Sequence, residues 1–360
     1  MPENKDPFYA LLRRRRHTFR QDDVVEFFRR VSRKRVESMA VTMSKYLSEN
    51  LPAAFKGRET LPDYRANPYV LMTSASVMKL NKPLDYARFL FNNKLYMALE
   101  TSFGKSFGIV LSHYPTKSRL KWEDPPEKRA EHKALAGRTR EQKARLRTES
   151  VWREIDKSVV VGNRRYLTSI KSGPNTINDS TAQAMASAII ANHRRWADQT
   201  RVTYPNVSGL DVVIGLTYGT DRTTNNKENQ ILVKLLERGF EEEDHAKKPG
   251  VLIDGATQST RVYRKIGAEF WAFVGDPGDP TSASFVFLEI LLALAKALST
   301  GIKTAQLEDR INTKIQELRN ALASLQFQRN SLPGWLREDF SEEELFWFAT
   351  AMTAFYDEGV

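Results

Sequence analysis

Cysteine is absent from the 360 residues, which excludes disulfides, thiolate-bound zinc and cysteine nucleophiles. Histidine is scarce: five residues, scattered, with no His-x-x-x-His pair to supply a histidine-rich metal centre. Long apolar runs are missing as well. The longest, Phe285 to Leu298, is too short to span a bilayer and carries Glu289 and Lys296. The opening Met-Pro-Glu-Asn-Lys-Asp has none of the apolar core of a signal peptide. A cytoplasmic protein without membrane attachment is expected. No internal repeat is visible.

What the chain does have is core material and positive charge. At 41% hydrophobic and 10% aromatic it can bury a core, and its length permits one large domain or two. Its net charge of +11 and pI near 9.6 suit a polyanionic partner such as DNA or RNA, or an anionic membrane surface. A merely basic soluble protein has the same composition.

The informative stretch runs from Trp152 to Asn178 and reads as a hairpin followed by a helix. Val159 to Val161 is a β-branched run, Gly162-Asn163 a turn signal, and Tyr166 to Ile170 a second extended run. Ser172-Gly173-Pro174-Asn175 stops that strand and leads to a helix beginning near Asp179 or Ser180. Asp156 thus stands on or just before the first strand and Lys171 at the end of the second. A carboxylate that can hold a divalent cation, beside a lysine that can stabilise developing negative charge, is the minimal equipment for metal-assisted phosphodiester hydrolysis.

This arrangement resembles the PD-(D/E)XK nucleases, type II restriction endonucleases above all. In that motif an acid is followed, a hairpin later, by acid-x-Lys. Asp156 matches the first acid, Ser169-Ile170-Lys171 takes the acid-x-Lys place, and Ser169 is the departure. Some members carry Ser-x-Lys and recruit a carboxylate from elsewhere. The run Lys171-Ser-Gly-Pro-Asn175 is similar to that of the subgroup cutting GGNCC-type palindromes. The resemblance is strongest over about residues 90 to 275.

It implies an α/β restriction-endonuclease-like core with helical additions at both ends. Expected segments are a basic, mainly helical region over 1–84, a nuclease core over 85–280 with a charged insertion at 115–148, and a helical region over 281–360. It also implies Mg²⁺, with Mn²⁺ as a substitute, held by Asp156. The missing carboxylate would come from Glu100, on the helix before the hairpin, or from Glu154. Lys171 would orient the attacking water or stabilise the phosphorane, and Ser169 would hold a water of the metal shell. Gln183, early on the following helix, would line the site. The implied partners are double-stranded DNA, a second copy of the chain in a two-fold dimer, and a cognate DNA methyltransferase. A structure-directed or repair nuclease, or a DNA-binding protein with a decayed site, are the alternatives.

Candidate DNA contacts are Asn175 and Asn178 after the hairpin, the phosphate-reaching pair Arg194 and Arg195, and Arg222, Asn225, Asn226 and Lys227 in a polar loop over 219–230. Arginine and lysine suit guanine edges, and asparagine suits adenine; an ordinary exposed loop has the same make-up. Elsewhere, helices are expected over residues 7–50, 85–113, 179–200, 231–238 and 284–360, and a core strand over Leu210 to Tyr218. Gly250 to Asp254 reads as an edge strand, Leu51 to Lys82 and the start of the insertion at Trp122 as loops, Arg138 to Arg147 as a basic helix, and Glu241 to Asp244 as a solvated turn. The aromatics of Gly267 to Asp276 read as packing groups. The basic residues near Arg13 and Arg29 suit either phosphate contact or a solvated face.

Overall fold

A computed structural model describes residues 28–50, 61, 64, 67–113, 121–173, 176–219, 225–243, 251–257, 259–283, 285–300, 304–325 and 329–355, with backbone alone at 50, 100–106, 113, 281, 300, 304–307, 329 and 354–355. The chain forms two compact units, Met1–Ser44 with Phe103–Ser299, and Lys45–Ser102 with Thr300–Val360. Two long helices, α1 (Arg33–Asn50) and α3 (Pro83–His113), each pass from one unit into the other.

The first unit is α/β. Its sheet is mixed and six-stranded, in the order β1 (Lys157–Val161), β2 (Arg164–Lys171), β3 (Gly209–Leu216), β6 (Thr260–Ile266), β5 (Val251–Asp254), β4 (Phe240–Glu242). β1 and β2 pair antiparallel around the expected Gly162-Asn163 turn. β2, β3 and β6 run parallel, and β5 pairs antiparallel with both β6 and β4. The crossover from β2 to β3 is α6 (Asp179–Thr203), started by the Asn178 side chain, which accepts from the Thr181 N–H at 2.8 Å.

All eight residues of β3 are buried, as its nearly continuous apolar run requires of a strand covered on both faces. Leu167, Val212, Ile214 and Leu216 share one cluster with Ala182, Met185 and Ile189 of α6 and with Ile231 and Leu235 of α7 (Lys227–Leu236). On the other face, Val159, Tyr166, Val213 and Tyr263 cluster with Phe270 and Phe273 of α8 (Ala268–Gly275). The aromatics of 267–276 are packing groups, as expected. Gly215 lets α8 approach, for a Cβ there would lie 2.2 Å from a Phe270 ring carbon. Helix α9 (Val286–Thr300) completes this side, with fully buried Glu289 accepting from Arg35 and from the Ser32 N–H at 2.7 Å.

Several local expectations need correction. The 51–82 stretch, read as loop, contains α2 (Pro68–Met78). Asn67 caps it and Pro68 occupies the first turn, where a proline lacks no needed N–H. The same chemistry turns the supposed loop after Trp122 into α4 (Pro126–Ala134), with Pro126 opening the helix. The basic helix forms as α5 (Arg140–Glu149), started by a capping box between Thr139 and Gln142. Residues 240–242 are strand rather than solvated turn, because Phe240 is buried and β4 pairs with β5. β5 is therefore interior to the sheet, and β4 takes the edge.

In the second unit, α2 packs on α11 (Glu342–Phe355). Tyr86 meets Phe346 edge-on with ring centroids 5.7 Å apart, and the Trp347 indole donates to the Leu80 carbonyl at 3.0 Å. Leu318 and Leu322 of α10 (Thr304–Ala323) join that cluster.

Candidate active site

The hairpin brings Asp156 and Lys171 to one end of the sheet. The Asp156 N–H donates to the Thr168 carbonyl at 2.8 Å, and its carboxylate accepts from the Ile170 N–H at 2.6 Å. Asp156 is thereby fixed on β2 by two residues that bracket Ser169. Strand alternation sets Leu167, Ser169 and Lys171 on one face, the face covered by α6. Glu154 completes the group, its Oε2 3.6 Å from Lys171 Nζ and its Oε1 3.4 Å from Arg153. The Lys171 and Glu154 side chains are only 20% and 12% exposed, so this pair is weakly screened by solvent.

Burial pushes the Asp156 carboxyl above its ordinary range. The Ile170 N–H, Lys171 and Lys128 pull against that, while the Glu154 charge adds to it. Lys128 of α4 is the residue that sequence reasoning missed. Its ammonium donates to the Ile155 carbonyl at 2.5 Å, beside Asp156. The signal lay inside a stretch read as loop.

The surroundings hold these groups still. Trp152 and Ile155, next to the two acids, are fully buried, and Trp152 packs on Trp196 at 5.9 Å. The Trp196 indole donates to the Val151 carbonyl at 3.1 Å. Buried Arg165 lies under the hairpin, forked to Glu127 of α4 at 2.9 and 2.7 Å and bonded to Thr200 of α6 at 3.1 Å. Its guanidinium also sits over Trp152 and Tyr204, at 5.4 and 5.1 Å from the ring centroids. Lys157 is tied to Asp124 at 2.6 Å and to Ser112 at 2.8 Å. Helix α4 is thus tied to the hairpin through Glu127 and Lys128.

Ser169 is fully buried, and its Oγ has no hydrogen-bond partner among the described residues. Gly173 follows closely, and a Cβ there would fall 2.1 Å from the Tyr218 ring. The glycine of the Lys-Ser-Gly-Pro-Asn run is therefore where Tyr218 crosses the chain just beyond Lys171.

A hard divalent cation would have oxygen donors here in the carboxylates of Asp156 and Glu154 and in the Ser169 hydroxyl. That donor set fits Mg²⁺, which takes one or two carboxylates and keeps several waters. Among the described residues, no group of three or more histidine or acidic ligands forms a metal site by itself.

Other anticipated residues are occupied differently. Gln183 is exposed and bonds to Lys234 and, at 3.3 Å, to Ser187. Asn178 serves as the helix cap. Asn225 donates to the Ile177 carbonyl at 2.9 Å, Asn226 is left-handed at φ 59°, and Lys227 pairs with Asp179 at 2.5 Å. Arg194 and Arg195 are exposed on α6. Asn175, Arg222 and the side chain of Glu100 lie outside the described residues. Comparison with family models and with curated proteins finds no match for this chain.

Proposed function

We propose that the chain is a Mg²⁺-dependent, sequence-specific endodeoxyribonuclease of the type II restriction class. The observation that carries this reading is the fixing of Asp156 on β2 beside Lys171, by the 2.6 Å bond from the Ile170 N–H. The parallel β2–α6–β3 unit next to the hairpin supports a restriction-endonuclease-like core. The net charge of +11 supports a DNA partner.

On this reading Asp156 and Glu154 hold the cation, with Mn²⁺ as a substitute. The bound cation would acidify a water and neutralise charge on the phosphate. Lys171, held by Glu154 in the absence of DNA, turns to the scissile phosphate, orients the attacking water and stabilises the phosphorane. Buried Ser169 fixes a water of the metal shell through its unpartnered hydroxyl. Exposed Arg194 and Arg195 supply sequence-independent affinity, and the 219–230 loop reads bases. A two-fold dimer acting on a short GGNCC-like palindrome in the cytoplasm, with a methyltransferase protecting host sites, completes the proposal. The target rests on the Lys-Ser-Gly-Pro-Asn resemblance.

One observation favours a second reading. The second-acid place holds a buried serine, as expected of a DNA-binding protein that has lost its nuclease site. Digestion of phage DNA in Mg²⁺ by wild type and Lys171→Ala separates the two. Discrete fragments from wild type alone support the restriction enzyme. A smear abolished by the substitution indicates a nuclease without sequence choice. Intact DNA in both Mg²⁺ and Mn²⁺ overturns the nuclease reading.

A further inference from the structure

Helix α5 is preformed, yet it contributes nothing to either core: none of its residues is buried, and its sequence is Arg-Glu-Gln-Lys-Ala-Arg-Leu-Arg-Thr-Glu. Apart from Ala144 and Leu146 its side chains are polar, and packing does not account for the helix. Its charges are not spread evenly. At about 100° per residue, Arg140, Lys143 and Arg147 fall within roughly 60° of one another, in a row about 10 Å long. The two acids and Arg145 take the opposite side, where Arg145 bonds Glu149 at 2.8 Å. Among the described residues, none of the three stripe cations has an ion-pair partner.

The helix is also anchored where it leaves. Ser150, its C-cap, bonds Glu131 of α4 and accepts from the Trp152 N–H at 3.1 Å, and Asp156 follows six residues later in the chain. Duplex DNA carries a negative charge about every 1.7 Å along its axis, so a 10 Å row of cations faces several phosphates.

We propose that the Arg140–Lys143–Arg147 stripe grips the phosphate backbone of duplex DNA flanking the scissile bond. This names the DNA-holding surface of the nuclease reading and rests on that reading for the identity of the partner. The contact is independent of sequence, because backbone contacts position a protein without reading bases. The preset capping box means the helix need not fold on binding.

The test is the salt dependence of binding to a 30-base-pair duplex by full-length protein, in EDTA so that nothing is cut. The proteins compared are wild type, the triple variant Arg140→Gln/Lys143→Gln/Arg147→Gln, and the opposite-face variant Arg145→Gln. Each phosphate contact contributes about 0.9 to the slope of log K against log salt, so the triple variant is expected to lose roughly 2 to 3 units of slope. Arg145→Gln should keep the wild-type slope. Both variants should melt with wild type, since only exposed or half-buried side chains change. An unchanged slope in the triple variant, or an equal loss in Arg145→Gln, overturns the grip. So does tighter binding of the stripe to duplex RNA than to DNA. The outcome is separable from the nuclease reading. A lost slope in a protein that never cuts DNA keeps the grip and removes the enzyme, whereas a retained slope in a cutting protein does the reverse.

Discussion

The carboxylate of Asp156 accepts a 2.6 Å hydrogen bond from the Ile170 N–H, one residue before Lys171. The acid and the lysine of the candidate site are therefore set by one strand pairing, which leaves Asp156 half-buried. Burial raises its pKa above the ordinary 3.8, with Ile170, Lys171 and Lys128 opposing and Glu154 reinforcing. For an acid whose folded pKa is raised, the native state binds the proton more tightly than the unfolded chain. Stability then falls as pH rises from the unfolded value through the folded one, and the loss is complete above it. Asp156→Asn keeps an acceptor for Ile170 and removes that cost. The variant should be inactive but more stable at pH 7, by about 2–4 °C in Tm for each kcal/mol relieved. Melting both proteins between pH 4 and 8 checks it: the gap should widen with pH and then level off. A gap constant with pH would remove this account.

Ser169 gives the converse test. Its Oγ is buried without a partner, so Ser169→Ala should change stability by no more than about 1 kcal/mol. Ser169→Asp puts a carboxylate at a fully buried place on the strand that holds Asp156. It should lower stability by several kcal/mol without cation, since a buried charge near a like charge is costly (about 3 kcal/mol or more). Saturating Mg²⁺ should return about 2–3 kcal/mol if the site binds it at a hundredfold excess over Kd. Thermal melts with EDTA and with Mg²⁺ decide this, and equal melts in the two conditions would argue against a cation here.

The Arg165–Glu127 pair carries a prediction about the frame of the site. Arg165 is fully buried, and Glu127 is 14% exposed. Glu127→Ala strands the guanidinium, which costs about 3–5 kcal/mol for a buried pair. Arg165→Met with Glu127→Leu should be much milder, as both charges leave together. Burial pushes the Glu127 carboxyl up, but the Arg165 fork, backbone bonding and Thr203 outweigh it and leave the pKa below 4.5. The stability from this depressed pKa is present above the unfolded value and is lost as pH falls through the folded one. Urea denaturation at pH 7 and below pH 4 measures both effects. A difference between wild type and Glu127→Ala that persists undiminished in acid would contradict the pairing.

What was legible in the sequence follows from how local its cause is. The hairpin, α6 and β3 could be read because turn chemistry, an i, i+3, i+4 apolar face and a nearly continuous apolar run each act within a few residues. Thr260–Ile266 could not. Its Arg261, Arg264 and Lys265 look solvent-facing, yet Arg264 is bonded to buried Glu228 at 3.0 Å and the strand is interior to the sheet. The stretch from Trp122 reads as loop, although a proline in the first turn, as Pro126 is, opens a helix readily. Asp156 and Lys171 were visible as residues with a spacing. Lys128 was not, because it reaches Ile155 across 27 positions that only tertiary folding brings together.

Gly215 offers the last prediction, on the layer that supports β2 and β3. A Cβ at this position would lie 2.2 Å from the Phe270 ring, and Phe270 is fully buried. Gly215→Ala should therefore destabilise by about 1–3 kcal/mol, the usual cost of overpacking a close-packed interior. Gly215 is paired in register with Ile170, whose N–H holds Asp156, so displacing α8 should also loosen the site. Phe270→Leu alone should cost about 1 kcal/mol or somewhat more. In the double variant the smaller side chain makes room for the new methyl group, so the combined loss should be less than the sum. A double-mutant cycle in urea measures the coupling, expected at 0.5 kcal/mol or more for residues in contact (range about 0.5–3). Strict additivity would mean that the strand and helix separate freely, and that Gly215 is not what sets their distance.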